Sequence, residues 1–235
     1  SLDCKFCATA KIKRMRNLNA DEIYDQVVAM DQQSRLYFDR PLSNIVFMGM
    51  GEPLMNYKNL IDAIDKITQS DGLGMSPSRI TVSTSGIPKM MIKMADDQVR
   101  FGLAVSLHSA RQEVREELMP FAEKFPLNDL ADAIKYWYEK TGKAVTYEYV
   151  VWKGINDGDE DINALVDFCK ISPCKVNLIE YNPIGEEQFL QADKDRIEAY
   201  VSALEAERIT VTVRRSRGKD IDAACGQLAN KAERV

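Results

Sequence analysis

The feature that most restricts this chain is a regular alternation of short β-branched runs with longer segments of helical period. Runs rich in Val, Ile, Thr and Tyr stand at residues 44–48, 79–83, 103–107, 145–151, 175–179 and 209–214. Between them, helices are predicted at 20–35, 59–70, 128–140, 159–170 and 193–205, and a shorter one at about 220–231. A strand followed by a helix, repeated, buries its apolar surfaces most simply as βα units around a parallel sheet, so the fold class is α/β. Several runs are apolar on both alternations, which predicts strands covered on both faces. Asn19 is a good N-cap for the first helix, and Asp21 and Glu22 complement its dipole. In parallel barrels the reactive groups gather at the C-terminal ends of the strands, so the residues just past each run are the place to look.

At 235 residues the chain can bury a core as one large domain without disulfide staples. No run of about 18 apolar residues predicts a membrane span, and residues 1–16 lack the apolar centre of a signal peptide. Five cysteines in such a composition suit a reducing compartment, with thiols free for metal or chemistry. A net charge of −5 argues against non-specific nucleic-acid binding by the whole surface. Two local runs, 11–16 and 214–219, each gather four basic side chains and no acid. On composition they serve equally well as solvated turns or as RNA contacts.

Six motifs sit at or near predicted strand ends. Cys4-Lys5-Phe6-Cys7 is half a zinc site, a redox dithiol or part of an iron–sulfur site. On the pair alone the first two outrank the third, and Cys169 with Cys174 could complete a zinc site. In Met48-Gly49-Met50-Gly51-Glu52-Pro53 the glycines allow close backbone approach to a ligand, or simply make a tight turn. Thr81-Val82-Ser83-Thr84-Ser85-Gly86 offers hydroxyls to a polar ligand or a cap to the next helix. Ser106-Leu107-His108 contains the sole histidine, a type more often structural than catalytic, and its solitude argues against a multi-histidine metal site. Asn182 in Glu180-Tyr181-Asn182-Pro183 is a hydrogen-bonding ligand or part of an Asn-Pro turn. Cys225 lies among Ala223, Ala224 and Gly226, so a bulky planar partner could reach its sulfur; a small buried helix cysteine is the plainer reading.

Taken in order, CKFCATA, MGMGEPLMN, TVSTSG, SLH, INDG, NLIEYNP and RGKDIDAACGQL resemble the radical S-adenosylmethionine (SAM) enzymes that methylate adenine at C2 in 23S rRNA and some tRNAs. The enzymes that methylate C8 and confer antibiotic resistance are close relatives. The resemblance runs from Cys4 to about Ala229. It implies a catalytic domain over residues 1–235, built as a partial (β/α)6 radical-SAM barrel without its first strand and its N-terminal accessory domain. The family's cluster motif is C-x-x-x-C-x-x-C. Cys4 and Cys7 match its second and third cysteines, and the first would precede Ser1, so this chain by itself is not expected to hold a three-cysteine [4Fe–4S] cluster. A resolving cysteine and a general-base glutamate would also lie upstream. The resemblance further implies that Gly51, Glu52, Ser83, Ser106, Leu107, His108 and Asn182 bind SAM, and that Cys225 carries the methyl group in transit. It implies 23S rRNA and tRNA substrates, an electron donor, and a cytoplasmic monomer without membrane attachment. The basic runs become candidate phosphate contacts.

Overall fold

The computed structural model describes residues 2–12, 16–48, 50–185, 188–214 and 227. Among them six strands form one sheet: β1 (Ile45–Phe47), β2 (Ile80–Thr84), β3 (Gly102–Ser106), β4 (Val145–Val151), β5 (Cys174–Glu180) and β6 (Thr210–Arg214). They lie in sequence order, each parallel to the next, with β1 and β6 at the edges. The connections carry α1 (Ala20–Phe38), α2 (Tyr57–Thr68), α3 (Pro88–Asp96), α4 (Gln112–Leu118), α5 (Leu127–Thr141), α6 (Asp159–Cys169) and α7 (Lys194–Ala206). No helix among the described residues is long and apolar enough to cross a membrane.

All six expected strands form, and so do the five longer helices. The first begins where its cap places it. Asn19 accepts from the Glu22 N–H and the Glu22 carboxylate accepts from the Asn19 N–H, both at 2.9 Å. The segment expected at 220–231 lies outside the described residues, apart from residue 227. Two helices escape the sequence reading, α3 and α4. The first starts on Pro88 after an Ile87 that makes no side-chain cap, and the second is only seven residues long and equally uncapped. Neither has a side-chain N-cap; α3 does carry proline at its first position, a start signal the sequence reading passes over.

The sheet's two faces differ, which corrects the expectation of strands apolar on both sides. One face carries Ile80, Val82, Leu103, Val105, Tyr147, Tyr149, Val176 and Leu178, packed with Ile64 and Ile67 of α2, Met91 and Met94 of α3, Ile134 and Trp137 of α5 and Leu165 of α6 in one core. The other face is largely polar. The register aligns Ser83, Ala104, Thr146, Lys175 and Thr210 in one row and Ser106, Glu148, Asn177 and Thr212 in the next. Threonine is β-branched and reads as strand-forming, but here it sits on the wetter face. Within this face Glu148 is buried, and its carboxylate accepts from Asn177 Nδ2 at 2.8 Å and from Arg214 Nη1 at 3.1 Å. Edge strand β6 is thereby tied back to β4.

Candidate active site at the strand ends

The polar face opens at the C-terminal ends of the strands, where the singled-out residues converge. Gly51 and Glu52 follow β1, Ser83 is near the end of β2, Ser106 ends β3 with Leu107 and His108 next, and Asn182 lies two residues past β5. Gly51 adopts φ +122°, open only to glycine at low cost, and a Cβ there would meet nothing within 4 Å. Cys225 lies outside the described residues. Gln227, two positions on, donates from Nε2 to the Pro183 carbonyl at 3.1 Å, so the chain at that point touches the turn that holds Asn182.

Glu52 organises the first two strand ends. Its Oε1 accepts from the Leu54 N–H at 3.0 Å and the Thr84 hydroxyl at 2.8 Å, and its Oε2 accepts from the Ser85 N–H at 2.7 Å. Thr84 thus serves the carboxylate, and its oxygen accepts from the Gly86 N–H at 3.1 Å; it does not cap α3. Burial pushes the Glu52 carboxyl above its usual range, against these donors.

The Cys4–Cys7 loop seats itself on this rim through Phe6. The Phe6 ring meets the His108 ring edge-on at 4.9 Å and lies 4.9 Å from the Trp152 ring, and Trp152 continues into Tyr181 and Phe189. Such offset and edge-on contacts bury large area in fixed geometry. The Lys5 N–H donates to the Leu118 carbonyl at the end of α4 at 3.0 Å, and the Cys7 N–H donates to the Cys4 carbonyl at 3.2 Å. Both thiols are free. Burial pushes the Cys4 thiol up to about 12, the neighbouring Cys7 adds to the rise, and the Arg115 guanidinium opposes it.

His108 is held in place from two sides. Its φ of +57° is unusual for a residue with a side chain, a strain typical of functional sites. Its Nδ1 accepts from the Val150 N–H at 3.2 Å, and its carbonyl accepts from Asn156 Nδ2 at 2.7 Å. Burial, and secondarily the Arg115 charge, press its pKa from 6.5 to about 3. The fold therefore keeps a neutral imidazole while the unfolded chain protonates near 6.5. The stability tied to this group is full above pH 6.5 and is lost as pH falls toward 3. Between pH 7 and pH 5 the loss is about 2 kcal/mol. Urea unfolding at the two pH values, compared between wild type and His108→Gln, measures it. Equal pH dependence in both proteins would refute it.

Three residues at the site are not named as site residues by the sequence reading, although one of them lies in a motif it quotes. Asn156 of the INDG motif is fully buried and joins the His108 and Val150 carbonyls to the Trp152 N–H. Glu148 and Arg115 lie inside ordinary strand and helix patterns. Arg115 donates from Nη1 to the Ser106 carbonyl at 3.1 Å and the Leu107 carbonyl at 2.7 Å, and from Nη2 to the Ser85 carbonyl at 2.6 Å. Of the two basic runs, Arg16 forms a two-bond pair with Glu22 and Arg214 pairs with Glu148. Residues 13–15 and 215–219 lie outside the described residues.

The zinc arrangement suggested by four cysteines does not form. Cys174 begins β5 and its thiol donates to the Cys169 carbonyl at 3.5 Å, whereas the Cys4 loop packs beside Ile179 and Tyr181 at the other end of that strand. Seven strand residues separate the two ends by roughly 20 Å. Among the described residues no three His, Cys, Asp or Glu side chains gather around a metal-sized space.

A family model described as the Radical SAM superfamily matches residues 1–169. The chain is 70% identical over 232 residues to a protein of Christiangramia forsetii named "Probable dual-specificity RNA methyltransferase RlmN", covering 99% of this chain and 66% of that one. It is 69% identical to the same-named protein of Flavobacterium psychrophilum, covering 98% and 67%. The crystal structure of a radical SAM methyltransferase from Sphaerobacter thermophilus superposes with a TM-score of 0.93 at 39% identity, over 97% of this chain and 66% of that one. The chain belongs to the radical SAM superfamily and, within it, to the RlmN family. It spans about two-thirds of the length of the curated relatives it matches.

Membership implies an iron–sulfur cluster and SAM, and the residues present are compatible with both. Cys4 and Cys7 are unbridged thiols one tight turn apart, the donor type that iron–sulfur clusters take. They account for two protein ligands. On α4, which bonds this loop, the buried Arg115 guanidinium has an Nε–H with no hydrogen-bond partner among the described residues, as a site for anionic groups would provide.

Proposed function

We propose that residues 1–235 form the catalytic domain of a radical SAM RNA methyltransferase that methylates C2 of an adenine in 23S rRNA and in tRNA. The observation that carries this reading is a chain of contacts through α4. The Lys5 N–H of the Cys4–Cys7 loop bonds the Leu118 carbonyl at the end of α4, Arg115 of the same helix bonds the Ser85 carbonyl, and the Ser85 N–H bonds Glu52. The loop and the carboxylate are thus tied to the same short helix.

Cys4 and Cys7 would hold the cluster together with one more cysteine from the part of the protein that precedes this chain. When bound, the cluster and SAM supply the one-electron chemistry that adenine C2, which is not nucleophilic, requires. Glu52 and Gly51 would receive the methionine amino group of SAM, with Ser83, Ser106, Leu107, His108 and Asn182 around the rest of the molecule. Neutral His108 offers hydrogen bonds without adding charge beside a sulfonium. The aromatic cluster of Phe6, Trp152, Tyr181 and Phe189 excludes water from one wall. Cys225 would carry the methyl group in transit between cofactor and base, which suits its small neighbours. The target adenine would enter unstacked.

The test uses the full-length protein, reconstituted anaerobically and supplied with a reductant, SAM and a 23S rRNA fragment. Nucleoside mass spectrometry is expected to find 2-methyladenosine. Finding 8-methyladenosine would overturn the C2 assignment, and unmodified RNA would overturn the function.

A further inference from the structure

Arg115 carries more charge than its local contacts require. The side chain is 0% exposed. Every hydrogen-bond acceptor it meets among the described residues is neutral: the carbonyls of Ser85, Ser106 and Leu107, and Met119 Sδ at 3.3 Å. The guanidinium also lies 5.9 Å from the centre of the Phe121 ring, and Nε has no partner among the described residues. Arg111, four residues earlier on the same side of the chain, pairs with Glu113, Glu160 and Asp161, whereas Arg115 forms no ion pair among the described residues. An isolated buried cation is far costlier than a paired one. The three carbonyls use the fork of donors but neutralise none of the charge.

The anionic candidates facing this position come from the loop that α4 supports. The Leu118 carbonyl at the end of α4 receives the Lys5 N–H, and Cys4 packs in the same cluster as Leu118 and Met119. We infer that Arg115 is the buried counter-charge of the iron–sulfur site, a positioning and electrostatic residue that favours the reduced, more negative cluster. This inference rests on the proposed radical SAM function. Reduction adds one electron, and hence one negative charge, to a group held by thiolates. A fixed cation in a dry surrounding stabilises that added charge, and its removal shifts the equilibrium toward the oxidised form.

The experiment is a redox titration of the cluster in full-length protein without SAM, followed by electron paramagnetic resonance, for wild type, Arg115→Gln and Arg115→Lys. Arg115→Gln is expected to shift the one-electron equilibrium about tenfold toward oxidised cluster, which is 59 mV. Arg115→Lys keeps the charge and is expected to stay within about threefold of wild type. An unmoved potential in Arg115→Gln, or an equal tenfold fall in both variants, overturns the inference. If Arg115→Gln retains no cluster, Arg115→Lys decides: a wild-type potential supports the charge role and a tenfold fall refutes it. An Arg115→Gln protein with unchanged potential and weakened SAM binding would assign the cation to the SAM carboxylate instead, and would also overturn the inference. Wild-type protein that binds no cluster would sink the proposed function rather than this step beyond it.

Discussion

Full-length protein carrying Cys225→Ala is expected to form methylated RNA at a rate at least about a thousandfold below wild type, because a covalent carrier removed from a two-stage transfer has no substitute. Reductive cleavage of SAM should persist in the variant. Its binding would depend on Glu52, Ser83, Ser106, His108 and Asn182, none of which is replaced. The pairing of lost methyl transfer with retained cleavage separates a carrier from a residue that merely keeps the domain folded. Mass spectrometry of the RNA and chromatography of the SAM products read the two activities from one reaction. Methylated product at the wild-type rate would show that the methyl group travels without Cys225. Gln227 supplies the structural support: two residues beyond the cysteine the chain meets the Pro183 carbonyl, beside Asn182 at the strand ends.

The second large effect falls on stability. Asn156→Ala is expected to cost about 3 kcal/mol, or roughly 6–12 °C in melting temperature for a chain of this size. Asn156 is fully buried and closes three backbone groups at once: the His108 carbonyl at 2.7 Å, the Val150 carbonyl at 2.8 Å and the Trp152 N–H at 2.7 Å. Its own carbonyl accepts from the Tyr200 hydroxyl at 2.7 Å, a bond the substitution leaves in place. Alanine removes the amide without offering water a way in, so the groups stay buried and unpaired. Urea unfolding of the variant measures the cost, and a loss under about 1 kcal/mol would show that the knot relaxes onto other partners. The same substitution frees the carbonyl of His108, whose left-handed backbone depends on the surrounding bonds. The INDG motif thereby acquires a physical role, since its asparagine holds the imidazole that the sequence had marked as a ligand.

The chain's alternation was enough to determine an α/β fold with six parallel strands, and its strand-end rule was enough to gather Glu52, Ser83, Ser106, His108 and Asn182 on one rim. Both follow from local physics. Side-chain period decides strand or helix, and short connections between unlike elements leave parallel pairing as the economical outcome. Helices were legible where the periodic run was long, as in α1, α5 and α7, and α3 and α4, nine and seven residues long, were passed over. The expectation that several strands are apolar on both faces failed, because threonine and valine have the same shape and differ only in what surrounds them. Tertiary structure alone decided that Thr146 and Glu148 look away from the helices, and that Cys4 and Cys174 stand at opposite ends of the sheet. It alone brought Arg115, an unremarkable residue in a short uncapped helix, to the carbonyls of two strand ends and under the Cys4–Cys7 loop. Charge compensation is a property of where groups meet after folding. The alternation with which the chain announces its sheet carries no information about which buried cation will lack an anion.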